Sequence, residues 1–313
     1  MGMIPRMHIV SAIFRRDYVS YFSTPTGYVF ITVFVLLGSF SAFYPEAFFV
    51  NNLANLDTLN FRFPLLLLFF IPAVTMGLWA EERKQGTAEL LMTLPASDTE
   101  IVLGKYLASL GVYLTALAFS LTHVAVLAYL GSPDLGLMFS TYLAYSFLGA
   151  ILLAVGMLGS LLSSSMTVGF IFGALACAIL VYLGQVLSLV GLEIGEYFTL
   201  APFQESTLGI LSLKSIVITL GITVAVLYAN HLIISSRRRG KVNIHGIVRL
   251  IALGCCAVSL SILANRAPLA RFDLTDEGLR NLSTKTKELL YELDADRPVT
   301  IRAYVSPKVP QSY

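Results

Sequence analysis

The stretch EERKQGTAELLMTLPASDTE, Glu81–Glu100, interrupts two of the most hydrophobic runs in the chain with charges, one glycine and one proline. The run before it ends near Trp79, an aromatic suited to a membrane interface, and its helix continues into water through Glu81, Glu82, Arg83, Lys84 and Gln85. Gly86 suits a helix C-terminal stop. Thr87 is placed to cap a new short helix, with Glu89 near the positive end of its dipole. Leu90, Leu91 and Leu94 are expected on one face, an amphipathic turn that wants an apolar surface. Pro95 ends that turn. Ser97 and Glu100 match a capping box that starts the next long helix. The reading is a short helix across one membrane face, braced at both ends by spanning helices.

Composition agrees with that setting. The 313 residues are 56% hydrophobic and 13% charged, more apolar surface than a soluble core uses. A spanning helix needs about 20 mostly uncharged residues. Seven segments qualify, near 27–44, 61–80, 103–130, 138–162, 168–190, 213–234 and 246–264. Lys and Arg set the orientation. Arg6, Arg15 and Arg16, then Arg83, Lys84 and Lys105, then Arg237, Arg238, Arg239, Lys241 and Arg249 fall on one side. The acidic Glu46, Asp57, Asp134, Glu193, Glu196 and Glu205 fall on the other. The positive-inside rule places the N-terminus in the cytoplasm and residues from about 265 onward outside. The arginines at 237–239 mark a boundary and attract anionic lipid at about 1 kcal/mol each.

The first apolar run begins at Gly27 and has no small-residue cleavage site, so it reads as a retained anchor. Arg6 stands where a myristoylation signal after Met1-Gly2 needs Ser or Thr. Cys177, Cys255 and Cys256 lie within expected spans and form neither a metal nor a disulfide pattern. HExxH, GxSxG and the phosphate loop are absent; Gly104-Lys105 and Gly240-Lys241 lack its other residues. The chain therefore carries no ATPase of its own by this test, and nothing suggests nucleic acid. His123, an intramembrane ionisable residue, raises a functional question, with a neutral hydrogen-bonded role the favoured answer. Gln185 is similar.

Small residues recur every four positions at Gly156, Ser160 and Ser164, and at Gly169 and Gly173. Such faces allow close helix approach, within one subunit or between two. Ahead of the first span, Met7–Phe22 puts Ile9, Ile13, Val19 and Phe22 among apolar positions, while Arg15, Arg16 and Asp17 mark a polar side. It is expected to lie along the membrane before Pro25 and Gly27 turn the chain inward.

Three features together resemble a known family: FRRDYVSYFSTPTGYVF, the loop EERKQGTAELLMTLP followed by Gly104-Lys105, and LAPFQESTLGILSLKS closing with SSRRR. They are similar to the permease subunits of ABC-2 type ATP-binding-cassette transporters, in particular the gliding-motility-associated permeases (GldF-like). The spacing of Glu82, Gly86, Thr87, Glu89, Leu90, Pro95 and Lys105 carries most of the likeness. The resemblance implies an all-α polytopic membrane protein of the bacterial inner membrane, with a type V exporter-like core of six spans over 27–239. It implies a coupling helix at about 86–95, comprising Glu81, Glu82, Arg83, Gly86, Thr87, Glu89, Leu90, Leu91, Leu94 and Pro95 with Lys105, that docks in a separate cytoplasmic ABC ATPase. Residues 1–26, with Arg15, Arg16 and Asp17, are implied to be the connecting helix, and Gly191–Leu211 a re-entrant element. A dimer of permeases over a dimer of ATPases is implied, with ATP and Mg bound in the partner and no cofactor or metal in this chain.

After Arg239 the pattern departs from six spans. Residues 240–264 read as a linker and seventh transmembrane helix, and 265–313 as the start of an extracytoplasmic α/β domain resembling the accessory (GldG-like) partner of such permeases. Ser283 is placed to cap a helix with Leu282, Leu289, Leu290 and Leu293 on its apolar side. A turn at Asp296-Arg297-Pro298 then precedes a strand over Val299–Val305. One helix and one strand before Tyr313 are too little for an independent core, which points to a longer natural chain. Three functions follow as expectations: a permease moving cargo, a mechanotransmission complex driving the outer domain without transport, and, disfavoured by the missing motifs, an intramembrane enzyme or channel. The spans hold no charged clamp, which leans toward lipidic, hydrophobic or peptide-like cargo.

Overall fold

The computed structural model describes residues 7–51, 53–93, 95–189, 200–240, 244–266 and 271–276, together with 285, 286 and 288. Leu94, the residues of Gly191–Leu211 before 200, the Ser283 helix cap with its leucines and the Val299–Val305 strand lie outside the described residues. The described chain runs α1 (Met7–Phe22), α2 (Pro25–Phe43), α3 (Glu46–Asn51), α4 (Asp57–Thr75), α5 (Gly77–Lys84), α6 (Thr87–Thr93) and α7 (Asp98–Phe119). It continues through α8 (Thr122–Leu130), α9 (Leu135–Leu162), α10 (Met166–Leu189), α11 (Leu200–Thr207), β1 (Ile210–Ser212), α12 (Leu213–Arg239), α13 (Ile244–Arg266) and β2 (Arg271–Asp273).

Among the described residues, 6 helices or helix pairs are long and apolar enough to cross a membrane: α2, α4 with α5, α7 with α8, α9, α10 and α12. The two composite spans break for identifiable reasons. α4 carries Pro64 and Pro72, each without a backbone donor, and α5 restarts after Met76, whose carbonyl accepts from Ser160 Oγ. At Ser120 the backbone shifts to a tighter turn, with His123 N donating to Ser120 O at 2.9 Å, and Tyr142 donates to that same carbonyl from α9 at 2.7 Å.

Helix α9 is the hub, packed against α4, α5, α7, α10, α11 and α12. Its small residues explain how so many neighbours fit. A Cβ added at Gly159 would stand 2.4 Å from Gly173 N on α10, and one at Gly156 would meet Thr75 Oγ1 at 2.4 Å. Gly169 abuts Met76 O and Ser160, and Gly173 abuts Pro72 and Gly156. The glycine faces therefore serve packing inside this subunit. Gly159, which the four-residue spacing skips, makes the tightest of the backbone approaches between α9 and α10.

Aromatic rings fill the centre. Phe63 stacks on Tyr145 with centroids 3.6 Å apart, and Phe34, Phe70 and Tyr113 surround them. The two central tyrosine hydroxyls cross to other helices: Tyr113 donates to Tyr145 O at 2.8 Å, and Tyr145 donates to Asn60 Oδ1 at 2.6 Å. In an apolar core such partners remove the cost of an unsatisfied group. His123, 2% exposed, follows that pattern through one nitrogen, with Nε2 2.9 Å from Ser39 Oγ and 3.3 Å from Val35 O while Nδ1 is buried without a protein partner. Gln185 lies at an exposed position of α10.

Two short strands were not expected. β1 pairs antiparallel with β2, Leu211 opposite Phe272, beside α11. Between them α12 runs to the end of the bundle that carries the Glu81–Glu100 loop, and α13 packs back along it, Gly221 against Ala257.

Candidate functional site

The loop and its neighbours form a connected polar assembly. α5 ends at Lys84, Gln85 follows, and Gly86 takes φ +70°, the left-handed conformation that a helix stop requires and that a side chain disfavours. At the far side of the loop, the Ser97–Glu100 capping box is complete: Glu100 N donates to Ser97 Oγ at 3.3 Å and Ser97 N to Glu100 Oε2 at 2.8 Å. Pro95 lies exposed between them.

The short helix α6 differs from the expectation in two respects. Leu90 and Leu91 do not share a face: Leu91 is 4% exposed and turned into the protein with Ala88, while Leu90 is 69% exposed. Adjacent residues are about 100° apart around a helix, so a pair in sequence straddles the boundary between inner and outer faces. Thr87 is the first residue of α6, and its hydroxyl donates back to Glu82 O at 3.2 Å; it seals an α5 carbonyl rather than capping α6. Glu89 is exposed beside Leu90, so the outer surface of α6 carries an acid and a leucine with the exposed Thr87 and Thr93. Glu81 is exposed too, and its carboxylate accepts from Gln85 Nε2 at 3.2 Å.

A four-charge network anchors the upstream side. Lys105 of α7, only 2% exposed, places Nζ 2.9 Å from Glu82 Oε1, 3.4 Å from Asp17 Oδ2 and 2.8 Å from Leu78 O. Arg16 adds bonds of 2.7 Å to Asp17 Oδ1 and 2.8 Å to Glu82 Oε1. Two cations balance two carboxylates, so a buried ammonium is tolerable because it is paired. Burial pulls the Arg16 pKa down, but the hydrogen bonds and charges of Asp17 and Glu82 outweigh it and the net shift is upward. Lys105 Nζ also stands 4.9 Å from the centroid of the buried Trp79 ring.

This network corrects the picture of α1. Arg16 and Asp17 face α5 and α7 rather than a polar outer side, and of the three marked charges only Arg15 is left outside the network. α1 packs along α7: a Cβ added at Gly104 would stand 2.7 Å from Ile13 Cβ, and one at Gly111 3.1 Å from Tyr18 Cδ2. Tyr18 OH lies 2.9 Å from Thr115 Oγ1 in the same seam. The glycines on α7 give α1 its groove.

Two further clamps have partners that the sequence did not show, although Arg83 itself stood among the expected site residues. Arg83 reaches the last turn of α9, with Nη2 donating to Leu161 O and, at 3.2 Å, to Ser160 O. A cation on free C-terminal carbonyls complements the helix dipole. Ser160 is fully used: Oγ donates to Met76 O at 2.7 Å and accepts from Trp79 N at 3.0 Å and Ala80 N at 3.2 Å. A residue read as a packing position thus satisfies the backbone where α4 breaks into α5. At the downstream side, Arg238 donates to Asp98 Oδ1 at 2.9 Å and to Ala96 O at 3.3 Å. That arginine has a specific partner besides any lipid. Its signal in sequence was the acid beside the capping serine.

Among the described residues, no group of three or more His, Cys, Asp or Glu is arranged to hold a metal ion. The family model described as ABC-2 family transporter protein matches residues 53–237, more than half of the 313-residue chain. No match was found among curated proteins.

Proposed function

The chain belongs to the ABC-2 transporter family, and from that premise we propose that this multi-pass membrane permease is driven by a separate cytoplasmic ABC ATPase. α6 is its coupling helix, α1 its connecting helix, and the N-terminus faces the cytoplasm of a bacterial inner membrane. ATP and Mg act in the partner chain, and two permease copies stand over two ATPases. Closure of the ATPases pushes α6, and the spans rearrange to move a cargo across the membrane.

One observation carries this reading. The loop holding α6 has no slack on either side: Glu82 is held by Lys105 and Arg16, Arg83 holds the end of α9, and Asp98 is held by Arg238. A displacement of α6 is passed to α1, α7, α9 and α12 at once. Leu90 and Glu89 on its outer face are free to meet a partner. The test is Leu90→Asp beside Glu82→Gln and Gly86→Ala, scored by co-purification with the ATPase and by its hydrolysis rate. Leu90→Asp is expected to abolish co-purification without altering the permease's own melting. Unaltered assembly and hydrolysis in all three would sink the assignment.

A second reading, mechanotransmission, is favoured by the pairing of β1 with β2, which ties the segment after α13 to α11 and α12. In it α13 is a seventh crossing, the chain is the gliding-motility-associated type fused to the start of an extracytoplasmic α/β partner, and nothing crosses the bilayer. Nucleotide-dependent movement of residues beyond 266 without flux into vesicles would select it.

A further inference from the structure

A cavity of about 720 Å³ opens on the flank of the bundle between α1, α2 and the α7–α8 bend. Its walls include Val19, Phe22, Ile31, Val35, Leu36 and Phe119. The volume lies in the range of about 300–1,000 Å³ common for small-molecule sites. The hydroxyls in the lining make it more apolar than the residue types suggest. Ser23 donates to Val19 O at 2.8 Å, Thr32 to Tyr28 O at 2.9 Å, Thr115 to Gly111 O at 2.8 Å and Thr122 to Phe119 O at 3.0 Å. With those four donors spent on local backbone and Tyr18 OH paired with Thr115 Oγ1, the wall offers a polar cargo few directed donors. It suits a hydrocarbon chain.

The charge at one end selects which hydrocarbon. Arg15 precedes Val19 by four residues and Phe22 by seven, so it shares their face of α1. It is exposed, and among the described residues it makes no ion pair, whereas Arg16, Asp17, Glu82 and Lys105 neutralise one another. One guanidinium with no ion-pair partner among the described residues therefore stands one turn from Val19 in the groove wall, next in sequence to the charge network. Tyr28, 61% exposed and against Phe22, adds an amphipathic ring to the same wall.

We propose that this groove holds one acyl chain of an anionic phospholipid whose phosphate pairs with Arg15. The lipid would fill the space α1 leaves beside α2 and hold α1 against α7, on which the charge network depends. It is an occupant of the permease rather than its cargo, and the proposal stands whichever reading of the function holds.

The test uses the full chain in detergent micelles, titrated with phosphatidylglycerol or phosphatidylcholine and read by native mass spectrometry. The native protein should retain phosphatidylglycerol about fivefold better than phosphatidylcholine, the worth of one basic residue at a membrane surface. Arg15→Gln should erase that preference while leaving phosphatidylcholine binding unchanged. Leu36→Trp, at a side chain 62% exposed before substitution, should weaken both lipids by filling the groove. Lys84→Gln, an exposed cation away from the groove, should change neither. Equal retention of the two lipids by the native chain, an undiminished preference in Arg15→Gln, or an equal loss in Lys84→Gln would overturn the proposal. So would a Leu36→Cys chain that cross-links to a second copy, because the groove would then be a subunit seam.

Discussion

Lys105 Nζ stands 2.9 Å from Glu82 Oε1, joining the helix after the loop to the helix before it. Lys105 is 2% exposed while the Glu82 side chain keeps 15%. Removing one partner leaves the other charge poorly compensated. Lys105→Met is expected to cost about 3 kcal/mol, the low end for a broken buried pair because both carboxylates retain some water. Lys105→Met with Glu82→Gln should recover part of that loss. A double-mutant cycle on thermal unfolding measures the coupling, and purely additive losses would show the pair to be uncoupled.

Ser160→Ala strands Trp79 N, Ala80 N and Met76 O in an apolar seam. The expected cost is about 1–3 kcal/mol. Trp79, the protein's single tryptophan, is 2% exposed and lies at the break itself. Its emission should shift to the red in the variant, reporting water at the α4–α5 junction. Unchanged emission and melting would mean that Ser160 only packs.

The glycines of the bundle should respond unequally to the same change. Gly159→Ala pushes a methyl onto the α10 backbone and should destabilise by about 1–3 kcal/mol. Gly254→Ala, where nothing lies within 4 Å, should be neutral or stabilise by up to about 1 kcal/mol through helix propensity. Equal melting of the two would contradict the close α9–α10 approach.

Arg238→Gln should lower stability, because Asp98, 7% exposed, loses its cation, and under the proposed coupling role it should also lower ATPase stimulation. Arg239→Gln, one residue on, should do neither. If both variants lose stimulation equally, the arginines act through general charge at the membrane and the specific clamp is wrong.

Leu211→Cys with Phe272→Cys, placed on facing residues of β1 and β2, should form a disulfide within the monomer under mild oxidation. The product is expected to migrate as a compact monomer after reduction-sensitive electrophoresis. Dimers alone would mean that β2 pairs elsewhere.

The six spans were legible because twenty-residue apolar runs have few alternatives, and the loop was legible because stops and caps are local chemistry. Gly86 and the Ser97–Glu100 box needed no tertiary knowledge. The faces of α1 and α6 were not legible for the opposite reason. Charges at Arg16 and Asp17 look solvent-directed until Lys105, 88 residues away from Asp17, is brought beside them. Ser160 looked like a spacer because its three partners belong to the α4–α5 junction, which no local pattern announces. The pairing of β1 with β2 joins segments separated by two long helices, and three-residue strands leave no periodicity to read.

That strand pair is marginal on its own, since so short a ladder has little independent stability. It persists because the α12–α13 hairpin returns its two ends to the same place, giving the second strand a high effective concentration near the first. Such a contact opens at small cost and recloses without a search. Two helices thus do for three residue pairs what a tight turn does for an ordinary hairpin, holding both strands in register across a long connection.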